Sequence, residues 1–201
     1  MMDDSRFRRP ALPGRAIFDA LPADDDPATR TETGARIARL LVTGARSSAD
    51  EHVVGRVVSL ADEHGLDLLA ELWQEAPADT LGGALWRLYL LRAGVRAAPV
   101  QVAEEFDAGR RHAPVAEVVA GVVEPPGPDE VCELADAVLR GVVTGDLAVT
   151  LDRAAAFARV VSIGRAHLAD SDDAVHRAAR LVRTAEQLEH AAVLERDGAL
   201  T

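Results

Sequence analysis

The stretch Asp79-Thr-Leu-Gly-Gly-Ala-Leu-Trp-Arg-Leu-Tyr-Leu-Leu-Arg-Ala-Gly94 decides the fold that this sequence predicts. Its apolar residues extend around nearly the whole circumference of a helix, and only Arg87 and Arg92 interrupt them. A helix that is apolar on almost every side is buried among other elements. Either of its first two residues can cap its start, and its last glycine suits a left-handed terminator. We therefore expect a central helix here, covered by the rest of the chain.

A second, nearly all-apolar helix is predicted to begin after Asp146 and to run to about Leu168. Its middle, Ala154-Ala-Ala-Phe-Ala-Arg-Val-Val-Ser-Ile163, holds only two polar residues, so we expect it to pack against the central helix. Apolar stripes and cap signals fill the remaining chain, and no alternating strand pattern occurs. The sequence thus predicts an all-α fold, an irregular or orthogonal bundle of about eight helices without a sheet. The other predicted helices cover residues 27–44, 48–65, 66–76, 99–109, 114–123, 128–141 and 171–196. For residues 114–123 a buried extended segment is the alternative, because periodicity does not separate the two in so short an apolar run.

Two proline-containing segments suggest how the chain is organised. Residues 1–26, which also contain an acidic run, are predicted to form a flexible N-terminal arm. Arginines lie among apolar side chains in this arm, and short segments of that kind can become ordered on a partner, so Arg8 and Phe18 are candidate interaction residues. Residues 27–201 are predicted to form a single helical domain. Any subdomain break would lie at residues 124–128, because the prolines there disfavour helix in the residues that precede them.

Composition excludes several classes of function. The net charge is −11, which repels phosphate backbones and anionic lipid, so neither nucleic acid nor a membrane is an expected partner. The chain contains arginine but no lysine, which excludes a Walker A lysine, a Schiff base and a Ser-x-x-Lys nucleophile. A single cysteine, Cys132, excludes an internal disulfide and is expected to be a small core residue. No apolar run is long enough for a membrane span, and we expect a cytoplasmic location.

The strongest metal-site candidate is the group Asp172, Asp173 and His176. The first and last of these lie four residues apart, so they share a helix face and could bind a divalent ion. Acidic residues in a first helical turn are also explained by capping and by the helix dipole. The paired Glu-x-x-His motif of di-iron bundles is absent. A metal-binding helical enzyme or binder is therefore the alternative function, and no metal or other cofactor is predicted.

No catalytic motif is present, neither His-Glu-x-x-His nor Gly-x-Ser-x-Gly nor Gly-x-Gly-x-x-Gly. No catalytic residue is predicted, and a protein that is not an enzyme is favoured. A helical transcriptional regulator is a second alternative, because residues 35–89 contain helices of suitable length. Its candidate recognition helix, residues 66–76, carries three acidic residues and no arginine, so it would be repelled by phosphate.

Three segments carry a resemblance to other proteins: Glu124-Pro-Pro-Gly-Pro-Asp-Glu-Val131 with its continuation to Gly141, Gly145-Asp-Leu-Ala-Val-Thr-Leu-Asp-Arg-Ala-Ala-Ala-Phe157, and Trp86-Arg-Leu-Tyr-Leu-Leu-Arg92. By these segments the chain resembles a group of uncharacterised helical proteins from Actinobacteria. The resemblance covers about residues 60–165 and rests on core and turn residues, so it implies no site. It implies an all-helical fold, and some small proteins of that phylum regulate partner machines such as the chromosome-partitioning ATPase.

The last predicted helix presents a stripe of small and medium apolar residues. Such a stripe packs either on the chain's own core or on a second copy related by a two-fold axis, and the sequence leaves both open. We expect a non-enzymatic interaction or regulatory protein that self-associates, most simply as a homodimer, and that binds a protein partner. The candidate interface residues of this helix are Leu181, Ala185, Leu188 and Ala192.

Overall fold

The structure is a computed structural model, and it describes residues 27–43, 70–112, 125–139 and 146–201. These ranges contain α-helices and no strand, which confirms the predicted all-α class. The count of about eight helices is not matched, because the described ranges hold six. The helices are α1 (Pro27–Thr43), α2 (Leu81–Ala97), α3 (Pro99–His112), α4 (Pro128–Leu139), α5 (Leu147–His167) and α6 (Asp172–Arg196), with a 3-10 helix at Glu71–Trp73. The arm over residues 1–26 and the predicted helices 48–65 and 114–123 lie outside the described residues.

The predicted central helix forms as α2, but it ends later than expected. The Thr80 hydroxyl caps its start by accepting a hydrogen bond from the Gly83 N–H at 3.1 Å. The prediction that Gly94 ends the helix is wrong, because α2 continues to Ala97 and no described glycine other than Gly198 has a positive φ. A proline disfavours helical geometry in the residue before it, and Ala98, before Pro99, has φ −145° and ψ 62°. The proline therefore separates α2 from α3.

One face of α2 is buried, and the coverage is less complete than predicted. The buried side chains include Leu85 and Leu88, whereas Leu90 is 43% exposed. The rings of Trp86 and Tyr89 stack on each other with centroids 5.3 Å apart, and both are half-buried. The helix packs chiefly against α4 and then against α1.

Helix α5 is the most deeply buried element of the described chain. Asp146 caps it as predicted, by accepting a hydrogen bond from the Ala148 N–H at 2.8 Å. Its alanine run, residues 154–156, is almost inaccessible to solvent. It contacts the central helix α2 as expected, but α6 and α3 occupy most of its surface. Small side chains on α5 let these two helices approach closely, and α2 touches it at far fewer positions.

Helices α3 and α5 cross with their backbones in direct contact. A Cβ atom added to Gly164 would lie 1.7 Å from the Glu105 carbonyl oxygen, and one added to Gly109 would lie 1.9 Å from the Val160 carbonyl oxygen. Both distances are far inside van der Waals contact. The two glycines are therefore required by the separation of the helices.

Two long-range hydrogen bonds fix α2 against α6 and the residues that follow it. The Leu81 N–H donates to the carbonyl oxygen of Thr201 at 2.9 Å, and the Arg87 Nε donates to the Gln187 Oε1 at 2.6 Å. The start of α2 thus lies beside the end of the chain, so the two helices run antiparallel. Among the described ranges, none of the helices has both the length and the apolar character that a bilayer span requires.

Substituting Gly164 with alanine should destabilise the fold by about 1–3 kcal/mol, because the added methyl forces α3 and α5 apart. Gly94→Ala is the matched control. It changes another helical glycine, but no atom lies within 4 Å of the added Cβ. That control should gain about 0.5–1 kcal/mol from the lower entropy of the unfolded chain. Urea unfolding measures both free energies. Equal effects of the two substitutions would contradict the close crossing.

Candidate functional site

A cleft of about 220 Å³ lies between α2 and α6, with α3 and α5 beneath it. We call it the arginine cleft, because three of its lining residues are arginines. Helices α2 and α6 form its walls, and the helices below supply a largely apolar floor. Its lining consists of Leu90, Leu91, Gly94 and Val95 from α2, Val102 from α3, Phe157, Val161 and Arg165 from α5, and Arg177, Arg180, Leu181 and Thr184 from α6.

The local sequence explains why space is left here. The contact between Arg87 and Gln187 joins the two walls one helical turn before the cleft begins. Beyond it, Gly94 contributes no side chain to the α2 wall, and a Cβ placed there would meet no atom within 4 Å. Because α2 continues past this glycine, the wall extends to Val95. The gap between α2 and α6 therefore lies where the α2 wall has no side chain.

The floor of the cleft consists mainly of buried apolar side chains. Phe157 is 2% exposed, and its ring stacks on that of Phe106 with centroids 5.7 Å apart. Val102 and Val161 lie beside it and are also buried. A group that enters the cleft would thus exchange water for tightly packed apolar atoms, which favours an apolar ligand group.

Arg165 reaches the cleft from a buried ion pair. Its Nε and its Nη2 donate to the two carboxylate oxygens of Glu105 at 2.9 and 2.7 Å. Glu105 is 3% exposed, and its Oε1 also accepts a hydrogen bond from Gln101 at 3.0 Å. A two-point arginine–carboxylate contact fixes the plane of the guanidinium group. The carboxylate therefore both neutralises and orients Arg165.

The two arginines of α6 differ from each other. Arg177 forms an exposed ion pair with Asp173, one turn earlier on the same helix. The guanidinium group of Arg180 makes no hydrogen bond or ion pair with any residue that the structure describes. Arg180 is thus the cleft cation to which no described residue brings a negative charge.

The metal candidates of the sequence are not brought together as a ligand set. Asp172, Asp173 and His176 are all exposed at the start of α6, and Asp173 is paired with Arg177. The helix is capped by Ser171, whose hydroxyl accepts a hydrogen bond from the Ala174 N–H at 3.4 Å. Across the described ranges, no three His, Cys, Asp or Glu residues are placed to hold a metal ion.

The small-residue stripe of α6 is occupied by the chain's own core. Ala185, Leu188 and Ala192 have no exposed surface, and Leu181 is partly buried at the edge of the cleft. These side chains belong to the hydrophobic core of the single chain, on the side where α6 packs against α5. Self-association stays a prediction from the sequence. The two candidate residues of the arm, Arg8 and Phe18, lie outside the described residues.

Cys132 lies partly buried beside a second charged group, in which Arg92 and Arg96 both pair with Asp136. Its thiol points toward the carbonyl oxygen of Arg92, 3.9 Å away. Burial raises the pKa of this thiol, and the nearby Arg96 opposes the shift in part. The geometry favours the packing role that the sequence predicted, and it does not activate a nucleophile.

Alkylation of Cys132 by iodoacetamide at pH 8 should be slower than alkylation of free cysteine. A raised pKa leaves less thiolate at that pH, and partial burial hinders access. Because the chain has one cysteine, mass spectrometry reads the rate directly. The same reaction in denaturant is the control and should approach the rate of the free amino acid. A folded protein that reacts as fast as free cysteine would contradict this account.

Removal of Arg165 should destabilise the protein strongly, by about 3–5 kcal/mol for Arg165→Met, because the buried carboxylate of Glu105 loses its cation. Adding Glu105→Gln should recover part of that loss. A double-mutant cycle in urea measures the coupling free energy. The exposed pair Asp173–Arg177 is the matched control, with an expected coupling below about 1 kcal/mol. Similar coupling in both pairs would contradict the burial argument.

Comparisons with protein-family models, with curated proteins and with solved structures give no match to this chain. The resemblance to actinobacterial helical proteins therefore stays a prediction from three sequence segments. No relative supplies a residue role or a substrate. A function for this chain must therefore be inferred from the described residues, and chiefly from the arginine cleft.

Proposed function

We propose that this chain is a non-enzymatic interaction protein with a regulatory role, and that it binds an acidic segment of a partner protein in the arginine cleft. The observation that carries the proposal is the cleft itself. It joins an apolar floor to the guanidinium group of Arg180, which has no counter-charge among the described residues. A segment with a Leu or Phe anchor beside an Asp or Glu would satisfy both features.

The size of the cleft favours a side chain over a whole small molecule. Its volume of about 220 Å³ lies below the ~300–1,000 Å³ that is usual for small-molecule sites. A volume of this size holds one or two anchoring side chains, as the central pockets of protein interfaces do. Leu90, 43% exposed, continues the apolar surface at the edge. A partner segment could therefore extend along the groove between α2 and α6.

The charge distribution favours one place of contact for such a segment. The chain as a whole carries a net charge of −11, which repels an acidic partner. Arg180 supplies the cleft with a cation that has no counter-charge among the described residues, so attraction is local to this part of the described surface. The negative net charge repels acidic partners in general, whereas the cation of the cleft attracts one that fits. This combination gives specificity more than affinity.

The alternatives have less support from the described residues. A metal site at the start of α6 would use exposed side chains, one of which, Asp173, is already paired. For a helical transcriptional regulator, the described part of the candidate recognition helix is a short 3-10 helix, Glu71–Trp73, whose tryptophan is 1% exposed. Self-association and the chromosome-partitioning ATPase as partner remain predictions from the sequence, and the proposal does not depend on them.

A selection from a displayed library of random peptides tests the proposal. Peptides that bind the whole chain should carry Asp or Glu next to a large apolar residue. Arg180→Glu should weaken their binding by at least about tenfold, a change of ~1.4 kcal/mol, because it reverses the cleft cation. Arg183→Glu is the matched control. It makes the same change in net charge at an exposed position of α6 outside the cleft, and it should change binding by less than about twofold.

Two results would contradict the proposal. One is a selection that enriches no acidic residue. The other is equal weakening by Arg180→Glu and Arg183→Glu, since that would reflect net charge and not the cleft. Circular dichroism of both variants checks that each remains folded, as expected for exposed positions.

A further inference from the structure

We infer that the arginine cleft is matched to a single negative charge, so that it selects a side-chain carboxylate over a dianionic group such as a phosphate. The inference assigns Asp173 as the residue that sets this selectivity. It rests on the proposed function, because it names the charge of the group that binds in the same cleft. Two of the three cleft arginines, Arg165 and Arg177, are already paired with carboxylates.

Three arginines line the cleft, but only one positive charge is uncompensated by described residues. Glu105 neutralises Arg165 through two hydrogen bonds, and Asp173 neutralises Arg177. Arg180 has no such partner within the described ranges. A ligand with one negative charge would complete the last pair. A second charge would have to compete with a carboxylate that is already in place.

The apolar floor makes a second charge costly. Val161 and Phe157 are buried and offer no hydrogen-bond donor from their side chains. Moving an unpaired charge from water toward such a surface is strongly unfavourable. The Thr184 hydroxyl is a neutral group of the lining and cannot replace a cation. The cleft thus favours a ligand with one negative charge over a ligand with two. Arg180 attracts the first charge, and a second charge would lose its water without gaining a cation.

A side-chain carboxylate fits better than the carboxylate at a chain terminus. Terminal carboxylates are commonly held by free backbone N–H groups. All the lining residues lie inside helices α2, α3, α5 and α6, and all but Val102 lie beyond the first turn of their helix. Val102 is the fourth residue of α3, and its N–H donates to the Ala98 carbonyl oxygen. Their N–H groups are used within the helices. The anion must therefore be bound by arginine side chains.

Of the two neutralising carboxylates, Asp173 is the one that can be changed without disturbing the core. The Glu105 side chain is 5% exposed and belongs to the close crossing of α3 and α5. The Asp173 side chain is 69% exposed, and its pair with Arg177 lies within one helix. Asp173→Asn should release the charge of Arg177 into the cleft, with little effect on folding.

Three probes with the same alkyl chain and different head groups test the inference on the full chain. Octanoate carries one negative charge, octyl phosphate at pH 8.5 carries nearly two, and octanol carries none. Titrations followed by the NMR signals of the Gly94 and Thr184 amides, which both lie in the lining, give the affinities. The wild type should bind octanoate at least about threefold more tightly than octyl phosphate, and octanol most weakly.

Asp173→Asn should abolish the preference for octanoate, with octyl phosphate gaining about three- to fivefold in affinity, as the release of an exposed ion pair allows. Asp172→Asn is the matched control. It makes the same change in net charge one residue away, at an exposed position with no described partner, and it should keep the wild-type order. Arg180→Ala should remove the preference for octanoate over octanol.

The outcomes separate this inference from the proposed function. Tighter binding of octyl phosphate than of octanoate by the wild type would overturn the inference and leave an anion-binding cleft in place. The same conclusion follows if Asp173→Asn and Asp172→Asn act alike. If none of the probes shifts the Gly94 and Thr184 signals, and the selected peptides do not shift them either, both the inference and the proposed function are wrong.

Discussion

The direct backbone contact between α3 and α5 is the constraint on which the rest of the described structure depends. Gly109 and Gly164 lie at the crossing. They let the two helices approach until the backbone of each lies against a carbonyl group of the other. That approach buries Glu105, whose carboxylate then requires a cation. The cation is Arg165, the residue directly after the crossing glycine, so a packing requirement and a charge requirement are met by neighbouring residues.

Small side chains allow the same close packing on the other side of α5. Ala154 and Ala155 of α5, and Ala185 and Ala192 of α6, are all almost fully buried. Close helix packing brings many atoms into contact without large side chains, which suits a chain with only 3% aromatic residues. It also explains why the small-residue stripe of α6 lies in the core of a single chain. The ion pair of Arg159 with Glu189, at 2.6 and 2.5 Å, adds a polar contact at the edge of the same helix pair.

The sequence predicted where the helices lie in the chain better than it predicted which helices pack against each other. Caps such as Asp146 and Ser171 are local signals, because the side chain and the N–H groups that it satisfies lie within three residues of each other. The end of α2 was mispredicted at Gly94, since glycine permits a left-handed terminator without requiring one. The arginine cleft could not be predicted at all. Its lining comes from four helices, and Leu90 and Arg180 are 90 residues apart in the chain. No local pattern specifies that distance.

The net charge and the cleft charge act over different distances, and this difference bears on how a partner would be recognised. At physiological ionic strength, charges are screened beyond about 8 Å, so the net charge of −11 slows the approach of an acidic segment but contributes little once it is bound. Arg180 is itself exposed to solvent, so its attraction for a bound carboxylate acts at short range and adds to the apolar contacts of the cleft. The contact of Arg165 with Glu105 holds its guanidinium group in place before any partner arrives, which lowers the entropy lost on binding. Recognition should therefore depend on the fit of a few groups at short range, more than on attraction between whole surfaces.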